Sequence, residues 1–473
     1  MPAGNPVSGH SHNLLITESP VIARIISAHN IPYLSVVATS GYLWTPEIDA
    51  SGKNVKGRAN PDLLERRKEI RELAKWAKRV IIATDSDPSG EFIAWSLFRF
   101  LKSHPDIRRT HLTSPDDLSV QRSLENAKPF QDDDFSRLRN YLLSRNYLDS
   151  ALKIRFPDLP ADIRIPTLLT SLFLNADLPR KTFHDPVSGV RVTAETPVRI
   201  FCDDVMPLQK SDQTKNHAEL TKPFSTASLL DEILRNTSVS DYKNAQQLLQ
   251  SLFQSASDDL PAGLISYPRT SSRDFFSETS QNLIHKFRTL DQAFTPLPDN
   301  LIPNEDSSPH EAIHVLRPQI TPDIVRPHVK RDEWILYKLI WQNSRESLSS
   351  PRVKPLQIWG TEKMETNFLT ENAVSENHLS VSPSVTSGDL MQFWTDSGWM
   401  SSGSAGRMLD QMIQQNMIEI RENRVYQTKR LPKLKNRSLG DDVISTLKNK
   451  SAADDVTGVN FFTELLNLPE LSP

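Results

Sequence analysis

The sequence predicts a multidomain protein: an α/β domain, then mainly helical segments with a β-rich insertion. Three observations carry this reading. The chain has 473 residues, too many for one hydrophobic core and suited to three or four domains. Residues 13 to about 125 alternate apolar strand-like runs with helical patterns, as a small parallel sheet covered by helices does. Farther on, the helical spacing of Leu, Tyr and Ile in LRNYLLSRNYLDSALKI gives way to strand-like alternation in PVSGVRVTAETPVRIFCDD, which returns in KPLQIWGTEKMETNFLTENAVSENHLSVSP.

The domain boundaries follow. Residues 1–125 make the α/β domain. Residues 126–185 and 388–473 make a helical domain, whose second part, from DLMQFW to RVYQT, reads helix, turn, helix, short hairpin, as in a winged helix. Residues 186–220 and 346–387 supply strands that pair across a long sequence gap. Residues 221–345 between them are mostly helical.

Composition narrows the class. With 37% hydrophobic and 24% charged residues, and no apolar run approaching the ~20 residues of a membrane helix, the sequence reads as soluble. One cysteine, Cys202, excludes an internal disulfide framework and a cysteine-rich zinc ribbon. The start, MPAGNPVSGHSHN, lacks the basic and apolar regions of a secretory signal, so a cytoplasmic location is expected. A net charge of −3 leaves nucleic-acid affinity to local clusters, of which TKRLPKLKNR, with Lys433, Lys435 and Arg437, contains no acid.

Chemistry concentrates in a few strings. In ATDSDPSGE the preceding RVIIAT reads as a buried strand, so Asp85 and Asp87 stand at its end, with Glu91 shortly after. Paired carboxylates there suit Mg²⁺, a hard ion that prefers oxygen. NLLITESP ends another apolar run at Glu18, and Ser19 and Pro20 fit the cap and first position of a helix. Two acidic strand ends in one open α/β sheet make one acidic pocket. GLISYPRTS supplies a nucleophile, Tyr267, with Arg269 on the same face if the stretch is extended. A phenol with the ordinary pKa near 10 is about one part in a thousand phenolate at neutral pH, so such a nucleophile needs help. PHEAIH spells the H-E-x-x-H zinc pattern in His310, Glu311 and His314, with Glu333 downstream. Pro309, Pro318, Pro322 and Pro327 leave barely two helical turns for it.

ESPVIAR and DSDPSGEFIAWSL resemble the Toprim domain of type IA DNA topoisomerases, whose patterns run near VESPAKAK and DxDREGExIAWxL. Further stretches follow in the family's order. YLLSRNYLDSAL resembles QARRVLDRLVG, ADIRIPTLL resembles GRVQTPTLAL, KPFSTASLLDEI resembles PFTTSTLQQE, GLISYPRTSS resembles GLITYxRTDS, and PHEAIHVLRP resembles AHEAIRPT. The resemblance covers about residues 13 to 345, with a weaker helical match beyond. It implies the type IA toroid, with a Toprim domain, winged-helix-like and tyrosine-bearing helical domains, and a β-rich arch.

The resemblance also implies the site. Tyr267 is the nucleophile, Arg269 and His310 contact the scissile phosphate, and Glu18 assists proton transfer or shares Mg²⁺ with Asp85 and Asp87. DNA contacts fall on Arg24, Arg145, Arg164 and Thr167, on Ser225, Thr226 and Thr270, and on Glu311, together with the basic Lys433, Lys435 and Arg437. The implied activity is Mg²⁺-dependent, ATP-independent cleavage of one strand of single-stranded or underwound DNA through a 5′-phosphotyrosine, passage of another strand, and religation. A monomer associated with the nucleoid is expected, with an accessory protein standing in for the family's C-terminal tail. Two other readings are a catalytically decayed DNA-binding relative and, more distantly, an H-E-x-x-H zinc metalloprotease.

The sequence departs from the family in places. Pro88 and Ser89 stand where the pattern has Arg-Glu, Ser19 and Ile22 where it has a lysine, Ser271 where it has Asp, and Asp162 where it has Arg. A customary carboxylate and cations that balance phosphate charge are therefore not in their usual positions.

Overall fold

The computed structural model describes residues 12–48, 55–85, 88–112, 115, 117–130, 134–255, 260–261, 263–302, 310–362, 364–371, 374–421, 424–432 and 447. It divides into two compact units, Met1–Leu143 with Gln250–Tyr267, and Ser144–Leu249 with Pro268–Pro473. No helix among the described residues is long and apolar enough to cross a membrane.

The first unit begins with β1 (Asn13–Thr17), buried from Leu14 to Thr17. Unbroken burial is what a parallel strand covered on both faces requires. Ser19 then caps α1 (Pro20–Ala28): its Oγ accepts from the Ile22 amide at 3.4 Å, and Pro20 takes the first helical position, where a missing N–H costs nothing. After β2 (Leu34–Ala38) come a hairpin of β3 (Trp44–Ile48) and β4 (Val55–Ala59), α2 (Leu64–Trp76) and β5 (Arg79–Ala83). Next are α3 (Pro88–Phe100), β6 (Ile107–Arg109), α4 (Asp117–Glu125) and β7 (Lys128–Pro129).

The sheet order is β2-β1-β5-β6-β7, parallel except for β7. Leu14, Ile16, Val80 and Ile82 of the sheet pack with Ile70 and Ala74 of α2 and with Ile93 and Leu97 of α3. The chain leaves β1 toward β2 on one side and re-enters through β5 on the other. The order therefore reverses between β1 and β5, and a crevice opens at their carboxyl ends. Their register sets Thr17 beside Ala83, so Glu18 and Asp85 emerge at the same edge.

The division between units falls within α5 (Asp134–Arg155). In the second unit α6 (Ala161–Asn175) is buried from Ile163 to Asn175, a helix hydrophobic enough to be surrounded. Then come β8 (Leu178–His184), β9 (Arg191–Ile200) and β10 (Met206–Glu219). Helices α7 (Thr226–Asn236), α8 (Tyr242–Phe253), α9 (Ser277–Leu290), α10 (Pro322–Val325) and α11 (Arg331–Ser347) follow, with the division between units at Leu249 falling inside α8. β11 (Arg352–Thr361), β12 (Met364–Thr370) and β13 (His378–Pro383) complete the β-rich part.

The expected pairing across the sequence gap closes a barrel, β10-β11-β12-β9-β8-β13. Its interior is filled by Phe183, Trp359 and Phe368, all fully buried, and Trp359 Nε1 donates to Thr370 Oγ1 at 3.2 Å. Closure leaves neither edge of this sheet open. After it come α12 (Ser387–Asp396), α13 (Ser402–Gln414) and the hairpin β14 (Ile418–Arg421) with β15 (Arg424–Gln427), the helix, turn, helix and hairpin read from the sequence. Helices α12 and α13 both pack on α6.

Trp359→Ala removes the largest side chain of the barrel interior and leaves a cavity. It is expected to destabilise the second unit by about 3–5 kcal/mol, measured by urea denaturation followed by circular dichroism.

Candidate active site and nucleic-acid interface

The first unit brings two distant strings together. The Tyr267 hydroxyl donates to Asp85 Oδ2 at 2.7 Å, although 182 positions separate the residues. Tyr267 is 7% exposed, and the Phe253 ring meets its ring edge-on at 5.7 Å between centroids. Its backbone is irregular rather than a strand, held by the Gly263 amide on Ser255 O at 2.9 Å and the Leu264 amide on Leu252 O at 3.3 Å. Gln254 Nε2 reaches the α1 cap, Ser19 Oγ, at 3.5 Å, tying this segment to the residue next to Glu18. Glu18 is half-buried, and its carbonyl accepts the Ser40 amide at 3.0 Å. Asp87 lies outside the described residues.

Asp85 is fixed from behind. A Cβ on Gly90 would sit 2.0 Å from the Asp85 carbonyl oxygen, so only glycine allows the first turn of α3 to approach this closely. Thr84 Oγ1 donates to Gly90 O at 2.7 Å and closes the turn. From the end of β6, Arg109 Nη2 donates to Asp85 O at 3.2 Å and to Glu91 Oε1 at 2.7 Å, while Nη1 donates to Ile82 O at 3.2 Å and to Thr110 O. His111 Nε2 lies 3.2 Å from the same Glu91 oxygen. Burial pushes the Glu91 carboxyl up, but the His111 hydrogen bond and the charge and hydrogen bond of Arg109 outweigh it and hold the group below its ordinary value. Arg109 and His111 escaped the sequence reading because nothing in IRRTHL marks them; only the parallel pairing of β5 with β6 carries them to this edge.

The second unit holds the remaining expected residues. Arg269 is half-buried, and its Cδ would lie 3.0 Å from a Cβ on Gly403 near the start of α13. His310 is also half-buried. Glu311 is buried and accepts from the Phe276 amide and Thr279 Oγ1, both at 3.2 Å. His314 is 4% exposed, with Nδ1 3.0 Å from Ala312 O. Residues 310–316 are not helical, and Ile313 bridges Phe224 as in a strand. The one-face, i to i+4 pairing of His310 with His314 that a zinc protease needs is therefore not formed, because it requires a helix. No group of three His, Cys, Asp or Glu suited to a metal occurs among the described residues.

Several expected DNA contacts are engaged within the fold. Arg164 is 7% exposed and pairs with Asp149 at 3.0 Å, and Arg145 donates to Trp399 O. Thr167 is buried in α6. Ser225 caps α7 and donates to Gln392 Oε1 at 2.6 Å. Thr226 Oγ1 donates to Pro268 O at 2.7 Å and accepts from the Thr270 amide at 2.8 Å, locking the strand-like start of the R-T stretch onto α7. Arg24 is exposed on α1. Lys433, Lys435 and Arg437 lie outside the described residues.

Comparison with known proteins matches both units. A model of the Toprim domain matches residues 13–115, and a model described as DNA topoisomerase matches residues 191–387. Residues 13–115 thus resemble a Toprim domain and residues 191–387 a DNA topoisomerase. It is similar to DNA topoisomerase 1 of Mycoplasma pneumoniae, 25% identical over 431 residues, an alignment that covers 72% of this chain and 60% of that relative's length. The structure of full-length topoisomerase I from Thermotoga maritima, in a monoclinic crystal form, shares the fold with a TM-score of 0.62 at 16% identity, covering 95% of this chain and 85% of that one.

Two outcomes follow from the geometry behind Asp85. Gly90→Ala forces a methyl group onto a carbonyl oxygen and is expected to cost on the order of 1–3 kcal/mol, measured by chemical denaturation. The lowered pKa of Glu91 contributes stability that is fully present above its ordinary value of 4.5 and is lost as pH falls through the lower folded value. Melting temperature should thus drop between pH 5 and pH 3, and Glu91→Gln should flatten that drop; an equally steep drop in the variant contradicts the assignment.

Proposed function

We propose that the chain is a type IA topoisomerase that cleaves one DNA strand through Tyr267, passes another strand through the break and reseals it. The observation that carries this reading is the 2.7 Å hydrogen bond from the Tyr267 hydroxyl to Asp85 at a sheet switch point. A phenol attacks phosphorus only as it loses its proton, and a carboxylate that already accepts a hydrogen bond from it is an acceptor in the right place. The phenolic oxygen bonds to phosphorus, the bond from phosphorus to the 3′ oxygen breaks, and the leaving oxygen takes a proton. Glu18, at the neighbouring strand end, handles that proton. One phosphodiester replaces another, so religation is the same exchange in reverse and needs no ATP.

The donors fit a hard dication: Glu18 and Asp85 offer only oxygens at adjoining strand ends, and Asp87 follows in sequence. Bound Mg²⁺ supplies positive charge against the phosphate. Arg269, two residues from Tyr267, supplies a cation and His310 a hydrogen-bond donor that stabilise charge on the phosphorane-like transition state. The substrate is single-stranded or underwound DNA, met by a monomer in the cytoplasm.

Tyr267→Phe should leave single-stranded DNA binding near wild type and abolish the covalent adduct seen on a denaturing gel with Mg²⁺; an adduct of normal yield sinks the assignment. Arg269→Ala should lower adduct yield by about 10²-fold or more while weakening binding far less. Supercoil relaxation should require Mg²⁺ and be indifferent to ATP.

A further inference from the structure

Arg109 does more than pair with an acid. Its side chain is 9% exposed, and its planar fork spans four acceptors: Ile82 O, Thr110 O, Asp85 O and Glu91 Oε1. Two of these, the Asp85 carbonyl and the Glu91 carboxylate, share one nitrogen, Nη2, at 3.2 and 2.7 Å. Without that nitrogen two oxygen acceptors would face each other with no donor between them, and the Asp85 peptide would turn away. Asp85 is the residue whose carboxylate receives the Tyr267 hydroxyl, so the orientation of that peptide sets the aim of the carboxylate. Glu91 in turn is occupied from two sides, by Arg109 and by His111.

We propose that Arg109 is the positioning residue of the acidic crevice: it fixes the main chain of Asp85 for divalent-ion binding and for Tyr267, and it engages Glu91 so that Glu91 stands outside the metal-ligand set. The proposal rests on the cleavage reading for its consequence in catalysis, but not for its effect on metal binding. It assigns a cation to the crevice in a chain that lacks the family's usual lysine beside Glu18. It also separates Glu91 from the acidic string in which the sequence places it. A lysine cannot substitute, because an ammonium donates from one point and cannot span a strand-end carbonyl, the Asp85 carbonyl and a carboxylate together.

The test is Mn²⁺ binding to the full chain without DNA, titrated by electron paramagnetic resonance, alongside melting temperature. Asp85→Asn should abolish most of the binding and so locate the ion. Arg109→Lys, which keeps the charge, should melt close to wild type yet bind Mn²⁺ about tenfold more weakly. Arg109→Gln leaves Glu91 uncompensated and should melt lower. Adding Glu91→Gln to it should restore melting but not Mn²⁺ affinity, because the Asp85 carbonyl still lacks its donor. The proposal is overturned if Arg109→Lys binds Mn²⁺ within about twofold of wild type, if the double variant recovers affinity together with melting, if wild type binds no Mn²⁺, or if neither Arg109→Lys nor the double variant folds. Failure of the cleavage reading looks different: wild type then forms no DNA adduct, while Arg109→Lys still weakens Mn²⁺ binding.

Discussion

The hydrogen bond from the Tyr267 hydroxyl to the Asp85 carboxylate is the contact on which the functional reading of this molecule depends. It exists only because several independent features agree. The parallel pairing of β1 with β5 puts two acidic strand ends at one crevice. Gly90 lets α3 close against the Asp85 carbonyl, and Arg109 holds that carbonyl from the far side. Phe253 and the turn around Gly263 and Leu264 deliver the phenol. A buried hydroxyl needs a partner, and here the partner is the group best suited to take its proton.

Electrostatics explain why the crevice tolerates so many acids. Glu91 is paired with Arg109, and His111 lies within hydrogen-bond distance of the same oxygen, so this carboxylate is already engaged within the fold. In the second unit the residues expected to hold DNA fall into two groups. Arg269 and His310 are partly exposed, whereas Arg164, Thr226, Thr270 and Glu311 are buried and serve the fold. The bonds of Thr226 to Pro268 and Thr270 show this second role, since they fix the backbone on either side of Arg269.

Much of this was legible in the sequence wherever a local rule sufficed. The unbroken apolar runs of NLLIT and RVIIA gave the parallel strands, Ser19-Pro20 gave the start of α1, and the helix, turn, helix and hairpin pattern from DLMQFW to RVYQT gave α12, α13 and their hairpin. The strands of 186–220 and 346–387 were recognisable by alternation, and their closure into a barrel follows from pairing that alternation cannot specify. What escaped depends on register. Arg109 has no motif, and the need for glycine at position 90 comes from the path of Asp85, five residues earlier. The H-E-x-x-H letters stood only as a distant alternative, because that motif needs a helix, and residues 310–316 do not form one.

The most direct test of the central claim is to identify the atom that becomes attached to DNA. The chain would be incubated with single-stranded DNA and Mg²⁺, denatured, digested with protease and nuclease, and the modified peptide sequenced by mass spectrometry. The expected product is a nucleotide joined through its 5′ phosphate to Tyr267 in the GLISYPR stretch. A nucleotide on any other residue, or a 3′ linkage, would contradict it.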